Sequence, residues 1–305
     1  MELIKPDTQI DFVGKMRIAF TVSLIAIAVS IASLVVHGGP NWGIDFAGGT
    51  VVQVKFTGGV DIDKIRSTLE GIHLEGITIQ QFGAKTDYEY LIRTAESTED
   101  LKGLSGRVED ALQAAFGKGA FEVRRVEVVG AKVGKDLTQK GILAVVFSWI
   151  AMLAYIAWRF EFRFAVGGIL ALVHDTIITI GVFSLLNKEF SLVIVAALLT
   201  IIGYSINDTI VIYDRIRENR KKNVRQDLGQ LINASINQTL SRTILTVLTV
   251  VIVLAAILLF GGAVMFDFAF AILVGIVVGT YSSIFIASPF VLAWERVIPS
   301  KRKRK

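Results

Sequence analysis

Residues 190–213 read FSLVIVAALLTIIGYSINDTIVIY, an apolar run long enough to cross a bilayer, interrupted in its last third by one carboxylate, Asp208. A crossing helix needs about 20 mostly apolar residues at 1.5 Å rise each. Working outward from this run, five more stretches meet the requirement, at residues 16–36, 141–158, 164–186, 243–260 and 268–294. With 53% hydrophobic and 19% charged residues over 305 positions, the chain is not an ordinary soluble protein. The stretch at 16–36 lies near a basic N-terminus. It is too long for a signal-peptide core, and no clear small-x-small cleavage site precedes His37-Gly38-Gly39-Pro40, so it reads as a retained helix.

Short loops rich in Lys and Arg are retained on the cytoplasmic side of a membrane. The basic residues gather at 1–15, 159–163, 214–242 and 295–305, whereas the short loops at the other ends of the helices hold only Lys188. Both termini are therefore expected in the cytoplasm, with 1–15 as an N-terminal segment, 214–242 as a basic loop and 295–305 as a basic tail. The formal net charge of +5 then belongs to an inner face that orients the helices, and Lys301-Arg302-Lys303-Arg304-Lys305 reads as a membrane-lipid anchor, not a nucleic-acid contact. In the basic loop, Leu228, Leu231, Ile232, Ile236 and Leu240 recur at helical spacing, predicting an amphipathic helix lying on the inner membrane surface.

Residues 37–140 form the one stretch with the composition of a soluble domain, and by this orientation they lie outside. Residues 50–56 alternate as a strand, and a helix over 61–72 follows with Asp61 as its N-cap. Strands at 76–82 and 88–94, a helix at 98–116 opening on Thr98-Glu99-Asp100, and a strand at 121–129 complete the order βαββαβ. That order predicts a small α+β, ferredoxin-like module between helices one and two, a fold that names no function.

Ionisable residues within a span cost on the order of 2.5 to 3.5 kcal/mol each at a helix centre, so those retained point to function or to helix pairing. Asp175 lies near the middle of the third span beside His174, and Asp208 stands one turn after Tyr204. Arg242 opens the fifth span, in a polar stripe with Thr239, Thr246 and Thr249. One reading is a proton relay, in which a carboxylate in lipid takes a proton from the positive side and a nearby Arg restores the ionised form. The other is a set of polar contacts gluing helices together, with Arg242 near enough to the boundary to snorkel. Without cysteine, and with His37, His73 and His174 scattered, the chain offers no metal site, and no nucleophile–base pair can be assembled from spacing. It reads as neither an enzyme nor a cofactor protein. Gly48-Gly49 lacks the Walker spacing and precedes a strand, so it is a tight turn. Gly275 and Gly279 form a GxxxG face for close helix packing.

Several motifs in order resemble one family, SecF, the smaller subunit of the SecDF accessory complex of the bacterial Sec translocase, within the resistance-nodulation-division superfamily. They are residues 41–50 (NWGIDFAGGT), Val173-His174-Asp175, residues 203–209 (GYSINDT) running into 213–219 (YDRIREN), and residues 238–243 (QTLSRT). The resemblance covers nearly the whole chain. It implies a six-helix half of such a transporter in the bacterial inner membrane, a pseudo-symmetric heterodimer with SecD, and association with the SecYEG channel, with YajC and YidC as further candidates. It also implies that proton flow drives an external domain that helps pull preprotein outward after the ATP-dependent step of SecA. Asp208 and Arg242 match family positions implicated in proton conduction. A large SecD-like external domain is absent from the sequence, as is the corresponding SecD carboxylate.

Energetics fit this expectation, since one proton crossing 100 mV releases about 2.3 kcal/mol and no nucleotide motif competes as a source. Two alternatives stand beside it: half of an exporter of small molecules or lipids, disfavoured by the small external domain, and a non-conducting scaffold of the translocase.

Overall fold

The computed structural model describes residues 9–298 except 73, 75, 84, 97–100 and 224. His73, the expected helix opening at Thr98-Glu99-Asp100, the first eight residues and the basic run at 301–305 lie outside the described residues.

Six helical spans are long and apolar enough to cross a membrane, which makes the chain a multi-pass membrane protein. They are α1 (Met16–Val36), α5 (Ala131–Arg159), α6 (Phe162–Leu185), α7 (Leu192–Lys222), α8 (Leu228–Phe260) and a last span from Met265 to Val297. The last span joins α9 (Gly262–Ser282) to α10 (Ser288–Val297) through one π-helical turn at Ser283–Ala287. At this turn Ser288 Oγ donates to the Ser283 carbonyl (2.9 Å), and Tyr213 of α7 donates to that of Ala287 (3.3 Å). About half of the apolar window is buried in α6 (56%), α7 (56%) and the last span (50%), against 6% in α5 and 11% in α8. The first three therefore form the centre of the bundle, and α5 and α8 leave most of their surface to lipid or another chain.

Several elements differ from the sequence reading. The expected span at 141–158 is the C-terminal part of a longer helix, since α5 begins at Ala131. Its first turns carry Lys132, Lys135, Asp136 and Lys140 and form a charged stem. The expected loop at 214–242 is largely helix: α7 continues to Lys222 because residues 214–222 hold no Gly or Pro, and Asp227 caps α8 by accepting from Gly229 N (2.9 Å) and Gln230 N (3.2 Å). The amphipathic stretch is the first part of α8. Leu231, Ile232, Ile236 and Leu240 are buried in the protein core beside Ile212 and Ile216, so this face packs on α7 and does not lie on the membrane surface. Asn233 and Asn237 of the same helix bind the turn-containing segment before α1, bonding to the backbone of Ile10, Phe12 and Val13 at 2.8 to 3.1 Å.

Between α1 and α5 lies a four-stranded antiparallel sheet of β2 (Gly49–Phe56), β3 (Thr78–Phe82), β4 (Glu89–Thr94) and β5 (Phe121–Val129), in spatial order β3-β4-β2-β5. Helices α3 (Ile62–Glu70) and α4 (Leu101–Phe116) connect the strands, and Asp61 caps α3 through Asp63 N at 3.1 Å. Alternation sends Val52, Val54, Phe56, Tyr90 and Ile92 into one core with Ile65, Leu69, Val108 and Leu112. The other face carries Val51, Gln53, Leu91 and Arg93, with Arg125 and Glu127 opposite Gln53 and Val51 on β5.

Two short elements join this module to the bundle. Helix α2 (Ile44–Ala47) leads into Gly48 and Gly49, both at positive φ. A Cβ on Gly48 would sit 2.9 Å from Ala131 Cα, and one on Gly49 would sit 2.3 Å from the Thr94 carbonyl, so the turn requires glycine. Strand β1 (Asn41–Trp42) pairs in parallel with β6 (Glu189–Phe190), the connection between α6 and α7. Trp42, Phe46 and Phe190 pack their rings at 5.5 to 6.0 Å around this pair.

Candidate functional site

Asp175 stands in the middle of α6 and is 1% exposed. Its Oδ1 lies 3.0 Å from His174 Nδ1, and its Oδ2 accepts from Ser205 of α7 (2.7 Å) and Ser282 of α9 (2.9 Å). Three helices thus meet on one carboxyl group, whose two oxygens both have partners. Helix α9 comes this close because Gly279 has no side chain: a Cβ there would lie 2.8 Å from Ser205 Oγ and 3.3 Å from Asp175 Oδ2. The His174 ring stacks on Tyr281 at 6.2 Å, and its Nε2 is buried without a hydrogen-bond partner among the described residues. Tyr281 in turn donates to the Ala19 carbonyl (2.6 Å) and accepts from Ser23 (3.1 Å), which ties α1 to the cluster.

Asp208 lies three residues beyond Ser205 on α7 and is 3% exposed. It is not part of the Asp175 cluster. It faces α8, where Arg242 is the charge that acts on it, and the two make no direct ion pair among the described residues. Tyr204, one turn earlier on the same face, donates to the Thr246 carbonyl of α8 at 3.0 Å. The predicted stripe on α8 is satisfied mostly within its own helix, since Thr239, Thr246 and Thr249 turn their hydroxyls onto carbonyls three or four residues back. Arg242 itself is exposed. Also exposed is a row of small and polar residues on α7, Ala196, Thr200, Gly203 and Asn207, at helical spacing. The isolated chain thus shows a membrane-depth surface bearing an amide, a hydroxyl and a guanidinium.

At the other end of the helices, the polar sheet face overlooks the bundle across two clefts of about 520 and 310 Å³. Between them Arg93 of β4 forms an ion pair with Glu189 of β6. The neighbouring Lys188 bonds Asp267 of α9 at 2.5 Å, and Asp45 of α2 accepts from Leu192 N, the first residue of α7, at 2.9 Å. Burial pushes the Glu189 carboxyl above the usual carboxylate range, against the opposing pull of Arg93.

The family model for "Protein export membrane protein SecD/SecF, C-terminal" matches residues 108–297, and that for the "SecD/SecF GG Motif" matches residues 33–60. The Magnetococcus marinus protein translocase subunit SecF is 48% identical over 307 residues, covering 100% of the chain and 97% of that protein. The chain belongs to the SecF family. The SecF subunit of Calditerrivibrio nitroreducens is 45% identical, over 100% of the chain and 99% of that protein. The crystal structure of SecDF from Thermus thermophilus, a translocon-associated membrane protein, superposes with a TM-score of 0.87 at 38% identity, over 96% of the chain. A SecDF structure in a super-membrane-facing form gives 0.70 at the same identity. The chain spans 40% of each of those longer SecDF chains.

Within this SecF-family chain the four residues singled out from sequence divide into two places. Asp175 and His174 share one buried cluster, while Asp208 lies on α7 within electrostatic reach of Arg242 on α8. Sequence reasoning did not single out Ser282 and Tyr281, although Tyr281-Ser282-Ser283 is a polar triplet inside an apolar span. It also passed over Glu189 and Arg93, whose pairing across 96 positions leaves no local pattern.

Proposed function

We propose that the chain pairs with SecD in the bacterial inner membrane, with both termini in the cytoplasm and the sheet module outside as a ferredoxin-like domain. In this reading the pair uses the proton motive force to draw preprotein outward through the SecYEG channel after the ATP-driven step of SecA. The observation that carries the proposal is Asp208, a buried carboxylate in a membrane span that feels the charge of an arginine on the next helix and makes no direct ion pair among the described residues. Such a group is costly in lipid and is retained where its proton is exchanged. Asp208 takes up the proton from the outer side, and Arg242 favours its release by stabilising the carboxylate. With both oxygens engaged, Asp175 holds α6, α7 and α9 together, and His174 is fixed beside it by Tyr281.

The SecD partner is supported by the row Ala196, Thr200, Gly203 and Asn207. Small residues let helix backbones approach closely in a bilayer, and an exposed amide there calls for protein, not acyl chains, as its neighbour. A cycle driven by few carboxylates is adequate at about 2.3 kcal/mol per proton per 100 mV.

Asp208→Asn keeps shape and hydrogen-bonding capacity but cannot carry a proton. In vesicles holding the complex with SecD, the variant is expected to assemble and to lose gradient-dependent preprotein release. Full release by Asp208→Asn would leave the scaffold reading in its place.

A further inference from the structure

We propose that Arg93 and Glu189 are positioning residues that couple α7 to the external sheet module, so that movement of the helix carrying Asp208 is passed outward through their ion pair. The proposal rests on the proton-driven reading above and adds to it the route by which the work leaves the membrane.

The geometry is that of a strut. The polar sheet face and the outer helix ends are kept apart by a cleft on each side, and the Arg93–Glu189 pair bridges the gap between them. Its two ends sit on rigid elements. Arg93 is on β4, a central strand, paired with Val51 of β2 and Thr78 of β3. Glu189 is three residues before the start of α7, in a strand bonded to β1, and the first turn of α7 is held by Asp45. A tilt or axial shift of α7 therefore carries Glu189 with it. Lys188 ties the same connection to α9 through Asp267, so the strut moves with both central helices.

An ion pair suits this work because it has a defined partner and is sensitive to losing it. Both side chains are largely buried, and removing one charge leaves the other poorly solvated and without its partner. Arg93 Nε has no hydrogen-bond partner among the described residues, and its Nη2 reaches Gln80 of β3 only at 3.4 Å, so Glu189 is the closest group that holds the guanidinium.

The test uses the full complex with SecD in vesicles under an imposed proton gradient, comparing Glu189→Gln, Arg93→Gln and the exchanged pair Arg93→Glu with Glu189→Arg. Each single variant is expected to lower gradient-dependent preprotein release at least tenfold while ATP-driven translocation stays unchanged. The exchanged pair is expected to recover to within threefold of the parent. If a single variant fails to assemble, the double neutral variant, which strands no charge, is read in its place and must show the same tenfold loss. Gradient-dependent release at the parental level in the neutral variants, or no recovery in an assembled exchanged pair, would overturn the proposal. Asp208→Asn is measured alongside. Loss there with none at Arg93 and Glu189 removes only the strut, whereas no loss at Asp208 removes the proton-driven reading.

Discussion

Ser205 of α7 donates a 2.7 Å hydrogen bond to Asp175 Oδ2 on α6, and it stands three residues before Asp208 on its own helix. The same Oδ2 accepts from Ser282 of α9. The helix bearing the proposed proton carrier is therefore pinned, one turn away, to the two other central helices. This makes Asp175 the register point of the bundle, with consequences for stability that differ from those at Asp208.

Asp175→Ala leaves the buried hydroxyl of Ser205 without its acceptor, at about 1 to 3 kcal/mol, while Ser282 loses its bond across to α6 and keeps only the Gly279 carbonyl of its own helix at 3.1 Å. Thermal unfolding in detergent is expected to fall by several degrees, with Asp175→Asn closer to the parent because its amide oxygen still accepts. An unchanged midpoint for Asp175→Ala would show that the cluster does not hold the helices.

Arg242 is exposed on α8, so Arg242→Gln is expected to change the stability of the isolated chain by no more than about 0.5 kcal/mol. Its effect should instead fall on proton-dependent release, because Asp208 then loses the charge that favours its ionised form. Arg242→Lys keeps that charge and is expected to retain part of the activity. Equal loss in the lysine and glutamine variants would mean that the guanidinium's shape matters more than its charge.

Glu189 gives a pH dependence of known sign. Burial, Asp45, Asp267 and Glu127 raise its carboxyl above the ordinary value of 4.5, Arg93 lowers it, and the adjacent Lys188 is engaged with Asp267. The net shift is upward, so the packed state holds the proton more tightly than a solvated Glu189 does. By linkage the packed state is therefore most stable below the ordinary value and loses stability as pH rises through the raised one, the desolvation cost of an ionised carboxyl that Arg93 only partly offsets. The ion pair that forms the strut is made on the ionised side. Hydrogen exchange in β4 and β6 should therefore show more protection towards acid, and Glu189→Gln should flatten the profile. Greater protection at higher pH would reverse the assignment and make the Arg93 attraction the larger effect.

The spans were legible because lipid demands long apolar runs, and β2 because Val52, Val54 and Phe56 alternate with polar residues. Helix ends were less so. The stem at 131–140 and the 214–222 extension are charged, so they look like loop, yet neither holds a proline, and the stem's one glycine, Gly134, sits where a Cβ would meet the Phe46 carbonyl. Asp175 and Asp208 stood out as carboxylates in apolar surroundings. Ser282 did not, because a hydroxyl in a span is ordinary until its partner is known. The β1–β6 pair is two residues long on each side, too short for any periodicity, and its existence depends on chain ends that only the fold brings together.

Two glycines in the bundle make opposite predictions. A Cβ on Gly279 would meet Ser205 and Asp175, whereas one on Gly203 has nothing within 4 Å, because Gly203 lies on the exposed row of α7. Gly279→Ala is expected to push α9 off α7 and lower the unfolding midpoint of the isolated chain, by roughly 1 to 3 kcal/mol for overpacking. Gly203→Leu should leave the isolated chain as stable as the parent and weaken its co-purification with SecD, since the bulk falls where a partner helix would approach. Measuring both properties for both variants separates the inner packing face from the outer one. A Gly203→Leu chain that keeps SecD bound would move the partner surface away from α7.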